Sequence, residues 1–110
     1  MKNFQEALVY YNKALELKPG NAKYLSLKGK SLKHLNKINE AIRCYDQAIN
    51  EDDNYAPAYF LKSEYLYEQN DYESALSYIE IACEIDPLDN SYKTLRNNIQ
   101  RGIQLKITSK

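Results

Sequence analysis

The stretch Asn39-Glu40-Ala41-Ile42-Arg43-Cys44-Tyr45-Asp46-Gln47-Ala48-Ile49 constrains this chain most, because related versions of it occur once before and once after at a constant offset. Around Ala41, Ile42, Tyr45 and Ala48 the earlier copy reads Ala7, Leu8, Tyr11 and Ala14, the later copy reads Ala75, Leu76, Ile79 and Ala82, and each step is 34 residues. A fixed period in this range marks stacked helical repeats, in which one unit cannot bury its apolar face alone and leans on its neighbours. The expectation is an all-α solenoid of antiparallel helix pairs with about six helices.

The helices follow from apolar spacing and from their stop signals. Residues 3–17 carry Phe4, Ala7, Leu8, Tyr11, Ala14 and Leu15 at three- and four-residue spacing, and Pro19-Gly20-Asn21 ends the run. Residues 22–35 form the next helix, closed by Asn36, since asparagine tolerates the left-handed conformation that often terminates a helix. Residues 38–50 follow, and Asp52-Asp53-Asn54 interrupts them. Pro57 suits the first turn of the next helix, where its missing N–H has no partner to lose, and Asn70 repeats the role of Asn36. Residues 72–85 form the fifth helix. Residues 90–106 place Tyr92, Leu95, Ile99 and Ile103 on one stripe and polar side chains on the other, as a capping helix requires. Gly102 inside that stripe costs about 1 kcal/mol relative to alanine, so the last turn is expected to fray.

Charge is balanced in total, 15 basic against 15 acidic residues, and gives no basis for a nucleic acid or membrane partner. Its distribution is uneven: a net +5 over residues 1–50, −10 over residues 51–89 where Lys62 stands alone against eleven acids, and +5 over residues 90–110. Cys44 and Cys83 lack metal-type spacing and fall at non-equivalent repeat positions, which argues for inert thiols rather than a disulfide framework. No apolar run approaches signal-peptide or membrane-spanning length, so the expected setting is cytoplasmic.

Helix pairs of this period, with small residues at Gly29 and Ser63 in the first helix and Ala41, Tyr45 and Ala48 in the second, resemble the tetratricopeptide repeat family. The resemblance covers nearly the whole chain. It divides a single domain into a leading half-repeat of one B helix (1–21), repeats at 22–55 and 56–89, a capping helix (90–106) and a short tail (107–110). Pro19 and Pro87 sit where the family places its proline, whereas the middle repeat has Asp53 there. The large aromatic early in helix A is Tyr59 in one repeat and Leu25 in the other, and the leucine beside the small residue is replaced by Lys28 and Lys62. The resemblance also implies that a helix A should precede Phe4, leaving the apolar face of residues 4–15 for an upstream segment or another chain to cover.

The family forms a right-handed superhelix whose concave wall is lined by A helices and commonly binds an extended peptide or a helix. Carried onto this chain, that wall comprises Lys23, Leu27, Lys30, Lys33 and His34, then Phe60, Leu61, Glu64 and Tyr67, then Leu95, Asn98 and Arg101. Leu27, Leu61 and Leu95, again 34 apart, either draw an apolar line along the groove or seal adjacent A helices together. For Lys23, Lys30 and Lys33 the ordinary role of a charge run is a solvated face. Members that grip acidic chaperone tails use Lys and Asn, a second Asn, then Lys and Arg. The matching positions here are Ser26, Lys30, Leu61, Ser91 and Leu95, so that clamp is absent.

No catalytic or metal-binding pattern is legible. His34 is the sole histidine and suits a helix end, while Glu51-Asp52-Asp53-Asn54 lacks the spaced ligands and glycine of a calcium loop. The sequence therefore reads as a non-enzymatic protein–protein interaction module that needs no cofactor. The alternatives are a self-associating repeat domain, joined through the uncovered first helix or through opposed charge, and a regulatory segment of a larger protein.

Overall fold

The computed structural model describes residues 3–109, and among them every regular element is an α-helix. The six helices are α1 (Phe4–Leu17), α2 (Ala22–His34), α3 (Ile38–Glu51), α4 (Ala56–Glu68), α5 (Tyr72–Ile85) and α6 (Asn90–Thr108). Their bounds follow the sequence expectation within two residues, because every end but that of α6 is set by local chemistry.

Asn3, Asn21 and Asp89 cap α1, α2 and α6, their side chains accepting backbone N–H groups of the first turn, as in the 2.9 Å bond from the Tyr24 amide to Asn21 Oδ1. These caps satisfy amides that have no partner within the helix. Asn36 and Asn70 close α2 and α4 in the left-handed region, at φ 63° and 62°. There the Lys37 amide donates to Leu32 O at 2.8 Å and the Asn36 amide to Lys33 O at 2.9 Å. The pattern recurs at Asp71 to Leu66 O and Asn70 to Tyr67 O, at 2.9 and 3.0 Å. Both ends are thus paired Schellman closures built on an asparagine.

The chain divides into two compact units, one ending at Ala58 and the other beginning at Tyr59. In the first, α1 packs on α2 and α2 on α3. Ala22, Leu25, Ala48 and Ala58 form one buried cluster and Leu32, Ala41 and Cys44 another. Gly29 permits the α2/α3 crossing: a Cβ there would stand 2.6 Å from the ring of Tyr45, itself fully buried.

In the second unit, Ala75, Ile79 and Ala82 of α5 are fully buried, α5 packs on α6, and the buried residues of α6 are Tyr92, Leu95 and Ile99. Ser63 of α4 reaches α5 with a 2.7 Å hydrogen bond to Ala75 O. The ring of Tyr59 lies 6.5 Å from that of Tyr78, over which Lys62 Nζ sits at 4.5 Å.

One expectation needs correcting. Helix α6 does not stop at residue 106 but continues to Thr108. The cause is tertiary. Gly102 lies under Tyr72, whose ring carbons would be 3.0 Å from a Cβ at that position, and Lys106 Nζ stands 3.6 Å from Glu73 Oε1. The close fit of Tyr72 on Gly102 offsets the local cost of glycine in a helix. The exposed ion pair adds little.

Candidate functional site

A concavity lies wholly in the second unit, between one face of α4 and the first turns of α6. It encloses about 500 Å³ and is lined by Phe60, Glu64, Tyr67 and Glu68 from α4 and by Asn90, Ser91, Thr94, Leu95 and Asn98 from α6. Phe60, Glu64, Tyr67 and Glu68 share a face because residues three and four apart on a helix are neighbours. The α6 residues line the opposite wall for the same reason, with the buried Leu95 facing the cleft.

Both aromatics are braced from behind. The Phe60 ring centroid is 5.2 Å from that of Tyr92, and the Tyr67 ring is 5.8 Å from that of Tyr72. The Tyr72 hydroxyl is in turn held by Asn70 Oδ1 at 3.0 Å. Side chains fixed in this way lose little rotamer freedom when they meet a ligand. Glu64 is half-buried, and no hydrogen bond or ion pair engages it among the described residues.

Five of the residues expected on the binding wall thus meet in one groove: Phe60, Glu64, Tyr67, Leu95 and Asn98. Leu61 is half-buried on α4 outside the lining, and Arg101 lies one turn beyond Asn98, exposed. Glu68, Asn90 and Thr94, which the sequence does not mark as binding residues, also line the groove, together with Ser91, a position that matches the family's tail-gripping set. The signal was available in the repeat: Ser91 and Thr94 stand 34 residues after Pro57 and Phe60, on the same helical face.

The expected residues of α2 lie in the first unit. Lys23 and Lys30 are exposed, and Lys33 is half-buried. Leu27 and Lys30 line a narrow cleft with Phe4, Ala7, Tyr11 and Ser31, so Leu27 faces α1. His34 is engaged locally: its Nδ1 is 2.9 Å from Lys30 O, which can only accept, and its ring stacks on Phe4 with centroids 4.2 Å apart. A further cleft, lined by Asn12, Lys28, Lys37, Glu40, Arg43 and Cys44 among others, is polar. Burial pushes the Cys44 thiol above its ordinary 9.0, the nearby Lys28 opposing this and Glu40 reinforcing it. The thiol is therefore kept protonated and unreactive. Among the described residues no group of three or more His, Cys, Asp or Glu side chains could hold a metal ion, and no helix is long and apolar enough to cross a membrane.

Comparison with known proteins gives a consistent answer. A tetratricopeptide repeat family model matches residues 26–90 and a second matches residues 1–21. The chain is 34% identical over 105 residues to the DnaJ homolog subfamily C member 7 homolog of Dictyostelium discoideum, covering 92% of this chain and 19% of that protein. It is 33% identical over 85 residues to Hsc70-interacting protein 1 of Drosophila melanogaster, covering 77% of this chain and 22% of the relative. The chain thus spans about a fifth of the length of the curated relatives it matches. Among solved structures, the first TPR domain of human RPAP3 superposes with a TM-score of 0.84 at 20% identity, covering 97% of this chain and 84% of that one. The first TPR of Spaghetti (RPAP3) bound to the HSP90 peptide SRMEEVD gives 0.82 at 19% identity, covering 92% and 80%. At these identities the structural likeness speaks for the fold, an all-α helical repeat.

Proposed function

The chain belongs to the tetratricopeptide repeat family, and from that premise we propose that it is a non-catalytic, intracellular protein–protein interaction module that binds a polypeptide segment of a partner in the groove between α4 and α6. The observation that carries this reading is the pair of braced aromatics, Phe60 and Tyr67, facing a wall of small polar side chains across about 500 Å³. Aromatic anchors that are rigid before binding contribute disproportionately to affinity, and polar groups around them fix the ligand's backbone. Leu61 and Arg101, in the same unit, are proposed as secondary contacts, and Lys23, Leu27, Lys30, Lys33 and His34 on α2 as a separate contact surface of the first unit.

Two of the similar proteins carry chaperones in their names or titles, which makes chaperone complexes candidate partners. The grip would differ from that of tail-binding family members, because Ser26, Lys30, Leu61, Ser91 and Leu95 replace the Lys, Asn and Arg set. The test is peptide display on the intact chain and on the Phe60→Ala/Tyr67→Ala variant. Peptides retained by the first and lost by the second, with helicity unchanged, support the groove. Peptides retained equally by both remove these residues from it.

A second reading, self-association through α1, is favoured by Val9, Tyr10 and Leu17, which are 55%, 51% and 85% exposed. Tyr10, Ala14 and Leu17 border an apolar cleft with Tyr24 of α2. Apolar surface of this kind marks interfaces. Solution mass that rises with protein concentration, and falls again in Leu17→Lys, would establish assembly through this face. A constant single-chain mass would exclude it.

A further inference from the structure

We propose that the α4/α6 groove selects a cationic segment, a short extended stretch of partner polypeptide presenting lysine or arginine beside an apolar side chain. This deepens the groove reading above and depends on it. The first support is charge. Of the lining residues, Glu64 and Glu68 alone are formally charged, and no lysine or arginine borders the cleft. The unit that holds the groove, residues 59–110, carries eight acids against six basic residues, a net −2 of the same sign as the groove.

The second support is the placing of Glu64. Its carboxylate is half-buried, unpaired among the described residues, and set between Phe60 four residues before and Tyr67 three residues after. A cation reaching it would meet a charge-assisted hydrogen bond in a cleft that two aromatic rings also line. An acidic side chain would meet like charge with no compensating donor beyond neutral amides and hydroxyls, which costs affinity.

The third support is length. Phe60 to Tyr67 covers about 10 Å of helix axis, the reach of about three residues of extended chain. One basic residue flanked by apolar neighbours fills that span. Asn90, Ser91, Thr94 and Asn98 offer both donors and acceptors to its backbone.

The experiment pans a random peptide-display library on the full chain at low and high salt, in parallel with Phe60→Ala/Tyr67→Ala, Glu64→Gln/Glu68→Gln and Glu64→Lys/Glu68→Lys. Circular dichroism confirms that each variant stays helical. The expected result is enrichment of Lys- or Arg-containing peptides on the native chain, weakened by salt and by the glutamine variant. In the lysine variant those peptides fall about tenfold or more and acidic ones replace them. Acidic or uncharged peptides enriched on the native chain and lost in Phe60→Ala/Tyr67→Ala would overturn the charge selectivity and leave the groove standing. Enrichment indifferent to Phe60 and Tyr67, or no enrichment, would overturn both.

Discussion

The Ser63 hydroxyl donates a 2.7 Å hydrogen bond to the carbonyl oxygen of Ala75 on the facing helix. One repeat earlier, 34 residues back, the same two positions are Gly29 and Ala41. There a Cβ on Gly29 would stand 3.1 Å from Ala41 O and 2.6 Å from the ring of Tyr45. The difference is set by the residue across the crossing, which is Tyr45 in the first repeat and Ile79 in the second, both fully buried. Glycine is matched with the larger side chain and serine with the smaller.

That trade predicts a coupling. Gly29→Ser against the native Tyr45 should lose about 1–3 kcal/mol by overpacking. Combined with Tyr45→Ile, the same change should cost markedly less than the two single losses summed, with a coupling of about 1 kcal/mol or more. Urea unfolding of the four proteins of the cycle reads this directly, and simple additivity would show that the two positions do not compensate. Ser63→Ala should lose about 1 kcal/mol for its hydrogen bond.

Asn36 and Asn70 predict a second pair of outcomes. Both adopt positive φ, a conformation that a Cβ without a polar side chain disfavours. Asn36→Ala and Asn70→Ala should each destabilise by about 1 kcal/mol, while Asn36→Gly should be near neutral. Equal midpoints for Asn36→Ala and Asn36→Gly would contradict the assignment of these closures.

Cys44 predicts how stability changes with pH. Burial, partly opposed by Lys28, raises its thiol above 9.0 in the folded chain, so the thiolate is favoured on unfolding. Tyr55 is raised above 10.0, first by burial and then by Asp52. Neither group changes stability below its ordinary value. Stability should fall as pH rises through 9.0 and again through 10.0 toward the folded values. Cys44→Ala should flatten the first part of that loss in unfolding midpoints measured across alkaline pH, and an unchanged slope would assign the loss elsewhere.

The helix order and closures were legible because their causes are local: apolar spacing, Asn36 and Asn70 after α2 and α4, and small residues at Gly29 and Ser63. The end of α6 was not, because the propensity cost of Gly102 is visible in sequence whereas the Tyr72 ring seated on it comes from another helix. His34 illustrates the same limit. Its place at the end of α2 could be read, but its stacking on Phe4, thirty residues away in sequence, could not. In the groove, Phe60 and Tyr67 announce themselves as exposed-face aromatics, while Ser91 and Thr94 are common surface residues that acquire a role only where α6 meets the cleft beside α4.

The most direct test of the central claim is the amide NMR spectrum of the isotopically labelled full chain, titrated with one lysine-containing peptide enriched by display. The account predicts concentration-dependent shifts clustered at Phe60, Glu64, Tyr67, Thr94, Leu95 and Asn98, abolished in Phe60→Ala/Tyr67→Ala. Shifts confined to α1 around Val9, Tyr10 and Leu17, with the groove silent, would contradict it.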